Sequence, residues 1–113
     1  MTQSRSDVPV RQEITEMARR IVARFAPEKI ILFGSHARGT AGPDSDVDLL
    51  VIMPVSGSKR SARLAIRAAL HDIDLAKDII VATPEEVEFY RDQVGTIIRP
   101  ALREGRVLYE RTA

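Results

Sequence analysis

The sequence predicts a small α/β domain of the α+β kind, in which helices flank a β-sheet. Two observations carry this prediction. The 113 residues are 44% hydrophobic and 29% charged, a composition that suits a globular core rather than a disordered or membrane-spanning chain. Along the chain, segments with helical periodicity alternate with short apolar runs, and no repeat, low-complexity tract or linker interrupts the pattern. We therefore expect residues 1–113 to form a single domain.

The first predicted element is one long amphipathic helix. Residues 1–8 are mostly polar, and we expect them to be frayed. Apolar residues then recur at spacings of three and four, as on one face of a helix, until Pro27 ends the pattern. These residues are Val10, Ile14, Met17, Ile21, Val22 and Phe25.

Two buried strands are predicted next. Ile30–Phe33 is a short run of β-branched and aromatic residues closed by Gly34, and Val47–Met53 is a second apolar run ended by Pro54. The intervening residues 35–45 hold glycines and a proline and have little to bury, so we expect a short helical turn followed by a loop.

Residues 59–82 are predicted to form a helix followed by a strand, and the helix carries a charged face. Lys59–Leu70 is rich in helix formers and has no internal Gly or Pro. Lys77–Ala82 is the third predicted strand. Three arginines share one face of the helix, and with acids balancing them elsewhere we favour a solvated face over an RNA, protein or triphosphate contact. They are Arg60, Arg63 and Arg67.

The last elements are two short helices and a strand. Thr83 is placed as the N-cap of a helix that begins at a proline and continues toward Val94. A further helix is predicted over Ile97–Glu104 with Gly105 as its C-terminal cap, followed by a strand over Arg106–Tyr109.

Charge and composition exclude several classes of function. The chain has 17 Lys and Arg against 16 Asp and Glu, a net charge of +1. The overall charge therefore does not indicate a polyanion partner. Cysteine is absent, so disulfides and thiolate chemistry are excluded. No apolar run approaches the roughly 20 residues of a membrane span, and the first residues lack the apolar core of a signal peptide. We expect a soluble, cytoplasmic protein with no membrane contact.

Chemistry-bearing residues flank one short loop. Asp46 and Asp48 are two residues apart at the head of a predicted strand, so their side chains project to one side. Paired carboxylates without nearby His or Cys ligands suit Mg²⁺ or Mn²⁺. Gly34 and Ser35 follow the preceding strand and open a helical turn, where small residues let phosphate approach backbone N–H groups. Each half alone is a common turn, but together they indicate a metal and phosphate site.

Residues 29–51 carry a family resemblance. Gly34-Ser35, ten residues, and then Asp46-x-Asp48 resembles the signature of the DNA polymerase β-like nucleotidyltransferase superfamily. The surrounding G-S-x-A-R-G and S-D-x-D-L sequences and the small size resemble its minimal nucleotidyltransferase family. This resemblance implies a polymerase β-like palm, a small mixed sheet with flanking helices.

The resemblance also implies a site. Asp46 and Asp48 would be catalytic and would ligate two Mg²⁺ ions that bridge the triphosphate of ATP, while Gly34 and Ser35 would hold its β and γ groups. A third carboxylate normally comes from a neighbouring strand. Asp78 fits this place because it opens an apolar run, and Asp74, in a second Asp-x-Asp, is the alternative.

Three further charged residues lie near these motifs. Arg38, one turn after the serine, either binds nucleotide phosphate or pairs with Asp44 or Asp46 to order the loop; both interpretations stay open. His36 is favoured as a solvent-exposed loop residue. Lys77 should point to the face of its strand opposite the neighbouring aspartate, away from the chemistry.

The resemblance implies transfer of AMP from ATP to a hydroxyl, with release of pyrophosphate. Members are commonly antitoxin partners of HEPN-domain proteins, so the implied acceptor is a hydroxyl on such a toxin. With 113 residues we expect the acceptor to be brought by another chain or by a second copy in a homo-oligomer, and nucleic acid is disfavoured as the direct acceptor. Two alternatives stay open: a non-catalytic antitoxin that neutralises its partner by binding, and transfer to a small-molecule hydroxyl.

Overall fold

A computed structural model describes residues 10–112, so the predicted fraying of residues 1–8 lies outside the described residues. Helices and strands alternate along this part of the chain. They are α1 (Val10–Phe25), β1 (Lys29–Phe33), α2 (Ser35–Arg38), β2 (Val47–Ile52), α3 (Lys59–Ala69), β3 (Lys77–Ala82), α4 (Pro84–Tyr90), α5 (Ile98–Glu104) and β4 (Arg106–Glu110). Within residues 10–112, none of these helices has the length and apolar character needed to cross a membrane.

The four strands form one mixed sheet in the order β3-β2-β1-β4. β1 pairs antiparallel with both β2 and β4, and β2 pairs parallel with β3. The parallel pair requires a crossover connection, which α3 supplies. As a result β2 and β3 both begin at the same end of the sheet, the end at which β1 finishes.

Alternation along the strands produces two apolar faces. Leu32, Leu49 and Ile79 pack with α1 and α3 on one face. Leu50 and Ile98 belong to the second cluster, on the face that α5 covers. Asp48 shares the side-chain alternation of Leu50, so it belongs to this second face.

Every predicted element within residues 10–112 is present, with small shifts at the ends. The largest shift is in α4, which ends at Tyr90 rather than near Val94. No residue of α4 is buried, so packing does not extend the helix, and Gly95 adopts a positive φ of 95° in the turn that follows. The fifth helix then begins at Ile98.

Gly105 does end α5, but for a reason the sequence does not show. Its φ of −77° and ψ of 166° are extended rather than left-handed. A Cβ at this position would overlap the Ala101 carbonyl and the Ile31 side chain. The glycine is therefore required by the close approach of α5 to β1 and not by backbone conformation.

Candidate active site

The first two carboxylates of the site are fixed by sheet register. Asp48 is the direct cross-strand partner of Asp78 in the parallel pair of β2 and β3. The Val47 N–H donates to the Ala76 carbonyl at 2.8 Å, which ties the starts of the two strands together one residue before the paired aspartates. Partners in one register project to the same face, so both carboxylates stand at one end of the sheet.

Gly34 lies against the Asp48 carboxylate from the β1 side of the site. It joins β1 to α2 and has φ 75° and ψ −156°, a conformation that only glycine adopts without strain. A Cβ at Gly34 would overlap Oδ2 of Asp48. The backbone of the Gly34–Ser35 turn thus lies directly against the Asp48 carboxylate.

Asp48 is the electrostatic centre of the group. Burial raises the pKa of its carboxyl first, and the negative charges of Asp78 and Asp46 raise it further. The positive charges of His36 and Arg38 lower the same pKa by smaller amounts. All four charged groups are therefore near enough to influence the Asp48 carboxyl, and the sheet register sets Asp78 directly beside Asp48.

His36 differs from its prediction as a solvent-exposed residue. It is half-buried, and its Nε2 lies 3.2 Å from the Ser45 carbonyl, to which it donates. This bond connects α2 to the end of the loop, immediately before Asp46. The ring has this partner because the loop turns back over α2, a tertiary contact that no sequence spacing signals.

The structure also bears on Arg38 and Asp74. Arg38 is exposed, and within residues 10–112 it has no carboxylate oxygen at ion-pair distance, so pairing with Asp44 or Asp46 is not formed. Asp74 lies in the connection before β3, whereas Asp78 is the strand residue in register with the β2 aspartate. The sheet therefore favours Asp78 as the third carboxylate.

The start of β3 is held by two cations. Lys77 Nζ donates to the carbonyls of Ile73 and Leu75, both at 2.8 Å, so its side chain is engaged away from the carboxylates, as expected. Arg67, the last of the three arginines that share one face of α3, donates from Nη1 to the Lys77 carbonyl at 3.2 Å. Sequence reasoning missed this contact, since it left Arg67 on a solvated face.

The donor set fits a hard cation. Within the described residues, no three His, Cys, Asp or Glu side chains converge as a ready-made metal-binding group. Mg²⁺ does not require one, because one or two carboxylates with water and phosphate oxygens complete its shell. Asp48 and Asp78 supply such a pair, and a cation between them would relieve the repulsion that raises the Asp48 pKa.

The comparison with known proteins places the chain in a family. Residues 14–108 match the nucleotidyltransferase domain. The chain is 36% identical over 104 residues to the bifunctional uridylyltransferase/uridylyl-removing enzyme of Bordetella pertussis, covering 86% of this chain and 12% of that enzyme. It is 32% identical over 90 residues to a candidate protein adenylyltransferase of Methanocaldococcus jannaschii, covering 73% of this chain and 78% of the relative. The chain belongs to the nucleotidyltransferase domain family.

This membership confirms the predicted class of transferase. The chain spans only a small part of the Bordetella enzyme, so that enzyme's two activities do not pass to it as a whole.

Solved structures share the fold. A candidate nucleotidyltransferase from Sulfolobus solfataricus has a TM-score of 0.63 at 20% identity, over 98% of this chain and 91% of that one. A toxin–antitoxin structure with AMP-PNP has a TM-score of 0.60 at 20% identity, over 89% and 73%. The MntA–HepT toxin–antitoxin structure has a TM-score of 0.59 at 15% identity, over 89% and 73%. The likeness confirms the predicted small mixed sheet with flanking helices.

Proposed function

We propose that the protein is a Mg²⁺-dependent nucleotidyltransferase that moves AMP from ATP to a hydroxyl on a partner protein. The observation that carries the proposal is the register of Asp48 and Asp78, with Asp46 close by and the Gly34–Ser35 turn against Asp48. The proposed phosphate-binding turn thus lies directly against the carboxylate group.

Each residue has a role in this reaction. Asp46, Asp48 and Asp78 would hold Mg²⁺, two ions in the form that the family resemblance implies, and these ions would stabilise charge on the entering and leaving oxygens. Gly34 lets the turn lie against Asp48, and the Ser35 hydroxyl and the first N–H groups of α2 would donate to the phosphate. Arg38, exposed and without an ion pair in the described residues, adds a donor for phosphate oxygens.

The transfer is an in-line displacement at the α-phosphorus. The acceptor oxygen forms a bond to the α-phosphorus while the bond to the α,β-bridging oxygen breaks, and pyrophosphate leaves. The acceptor proton passes to the Asp78 carboxylate, the residue at the open edge of the carboxylate group. Atoms and charge balance with ATP and the hydroxyl as the only reactants.

The acceptor is assigned to a protein on two grounds. The Methanocaldococcus relative carries the name of a candidate protein adenylyltransferase, and toxin–antitoxin complexes are among the solved structures with this fold. We therefore propose a HEPN-domain toxin as the partner and this chain as its antitoxin. Transfer of AMP to the toxin would inactivate it.

The experiment is co-expression with a HEPN-domain partner, incubation with ATP and Mg²⁺, and intact-mass measurement of the partner. Wild type should add one or more AMP units, and Asp46→Asn should add none. Asp44→Asn, which changes an exposed loop carboxylate two residues earlier, is the matched control and should transfer normally. Equal transfer by Asp46→Asn would overturn the assignment. Neutralisation of the toxin by a variant lacking all three aspartates would favour the non-catalytic antitoxin instead.

A further inference from the structure

A cavity of about 280 Å³ lies beside β3, the edge strand of the sheet, on the face that α5 covers. Its walls come from β3, α4 and the start of α5. The side chains that line it include Ile80, Tyr90, Ile97 and Ile98, with Lys59 and Glu86 at the rim. None of these residues belongs to the carboxylate group described above.

The cavity is adjacent to the proposed chemistry. Ile80 is two residues after Asp78 on the same strand and the same face, which is a separation of about 6.6 Å at the usual strand rise. Across the sheet the order is Gly34–Ser35, then Asp48, then Asp78. The Gly34–Ser35 turn therefore lies on the β1 side of Asp48, and the cavity lies farther along β3 from Asp78, toward the end of that strand.

The chemistry of the walls selects an uncharged occupant. Lys59 Nζ and Glu86 Oε2 form an ion pair of 2.6 Å, so the two rim charges neutralise each other. The Thr96 hydroxyl, also at the wall, donates to the Gln93 carbonyl. Few free polar groups are left to recognise a nucleobase, and the volume is at or below the small end of ordinary ligand pockets. One large apolar side chain fits better.

The open edge of β3 supplies the means of presenting such a side chain. Within residues 10–112, β3 pairs only with β2, and its other edge is unpaired. An extended segment can lie along such an edge and place alternate side chains at about 6.6 Å intervals. This spacing equals the separation of Asp78 and Ile80.

From this arrangement we propose that the cavity is the anchor site for the acceptor segment. The segment is an extended piece of a partner protein, with its hydroxyl residue at Asp78 and a large uncharged side chain two positions away in the cavity. The proposal rests on the proposed function for the role of Asp78, but the cavity's choice of occupant does not depend on catalysis.

The test uses synthetic five-residue peptides and methyl-labelled protein. One pair of peptides carries tyrosine and leucine two positions apart, in either order, and a third carries them adjacent. We expect the spaced peptides to shift the methyl signals of Ile80, Ile97 and Ile98 in NMR spectra, and the adjacent peptide to bind at least fivefold more weakly. Shifts caused equally by adenosine, or by all three peptides, would overturn the proposal.

A variant pair ties the binding to this cavity. Ile97→Asp changes a side chain that is 46% exposed at the cavity wall, and Val107→Asp changes one that is 51% exposed on β4, at the opposite edge of the sheet. Both should fold, as circular dichroism will verify. Ile97→Asp should weaken peptide binding at least tenfold and Val107→Asp should leave it unchanged; equal effects would contradict the assignment.

The same peptides separate this inference from the proposed function. If the spaced peptides bind but accept no nucleotide from ATP, the anchor site stands and the assigned reaction fails. If a partner protein is adenylylated by Ile97→Asp as well as by wild type, the reaction stands and the anchor site fails.

Discussion

Gly34 packs so closely on Asp48 that a side chain at position 34 would overlap the carboxylate oxygen Oδ2. The contact joins the end of β1 to the start of β2, and it sets the Gly34–Ser35 turn against the Asp48 carboxylate. A glycine is needed here twice over, because its φ is also positive at 75°.

Gly34→Ala should therefore lose both stability and function. We expect a loss of about 2–4 kcal/mol in the free energy of unfolding, from backbone strain and from displacement of Asp48. Gly39→Ala is the matched control, since Gly39 has φ 76° but nothing within 4 Å of its missing Cβ. That variant should lose only about 1–2 kcal/mol and keep ATP binding. Urea unfolding measures the stability of each variant, and ATP titration measures its nucleotide binding. Similar losses of stability and binding in Gly34→Ala and Gly39→Ala would contradict the role given to the contact with Asp48.

Asp48→Asn should make the protein more stable and inactive. The raised pKa of Asp48 means that the folded state disfavours its ionised form, so stability falls as pH rises above the ordinary carboxyl range. Removing the charge should raise the melting temperature at pH 7 by a few degrees, corresponding to less than about 1 kcal/mol after solvent screening.

Added Mg²⁺ provides the companion measurement. Bound Mg²⁺ should raise the melting temperature of wild type, because it relieves the repulsion of the Asp48 carboxylate by Asp78 and Asp46. It should change the melting temperature of Asp48→Asn very little. A variant that melts at or below the wild-type temperature at pH 7 would count against carboxylate repulsion at this site.

Asp78→Asn and Asp74→Asn separate the two candidates for the third carboxylate. Asp78 is in register with Asp48, so its loss should lower nucleotide transfer by at least a hundredfold with little change in ATP affinity. Asp74→Asn should keep transfer within about threefold of wild type. Single-turnover kinetics decide the matter, and the reverse ranking would mean that the connection before β3 supplies the ligand.

A charged network away from the site should govern acid stability. Arg20 donates from Nη1 and Nη2 to the two Asp72 carboxylate oxygens, at 2.5 Å and 3.1 Å, and from Nε to Glu16 at 2.8 Å. Its hydrogen bonds lower the pKa of Asp72 to about 2, and those of Arg19 and Arg20 lower the pKa of Glu16 to about 2.

Lowered carboxyl pKa values stabilise the fold above the ordinary carboxyl pKa, and that stability is lost as pH falls toward 2. Asp72→Asn should therefore melt at a lower temperature than wild type at pH 6, and the difference should shrink between about pH 4 and pH 2. Asp92→Asn, in the exposed turn after α4, is the control and should track wild type. A difference between Asp72→Asn and wild type that is constant across this range would contradict the assignment.

Much of the fold was predictable because local signals agree with packing. Pro27 and the helical spacing delimit α1, and Thr83 caps α4 as predicted, in a capping box with Glu86. The end of α4 at Tyr90 was not predictable, because the residues that follow are exposed and none of them before Gly95 is Gly or Pro. The role of Gly105 also depends on a tertiary contact, the approach of α5 to Ile31.

The candidate site divides in the same way. The Gly-Ser and Asp-x-Asp spacing made Gly34 and Asp48 visible in the sequence, and the strand pattern favoured Asp78. The bond from His36 to the Ser45 carbonyl and the contact of Arg67 with the start of β3 were not visible, because each joins segments whose proximity is set by the sheet. Spacing in one segment carries no information about such contacts.

The central claim is nucleotidyl transfer, and the position of the label in ATP tests it most directly. The protein and the proposed HEPN-domain partner are incubated with Mg²⁺ and ATP labelled on either the α- or the γ-phosphate. We expect the α-label to become covalently bound to the partner and the γ-label to be released as pyrophosphate, and we expect Asp46→Asn to abolish both. Covalent γ-label on the partner, or α-label transferred equally by Asp46→Asn, would contradict the central claim.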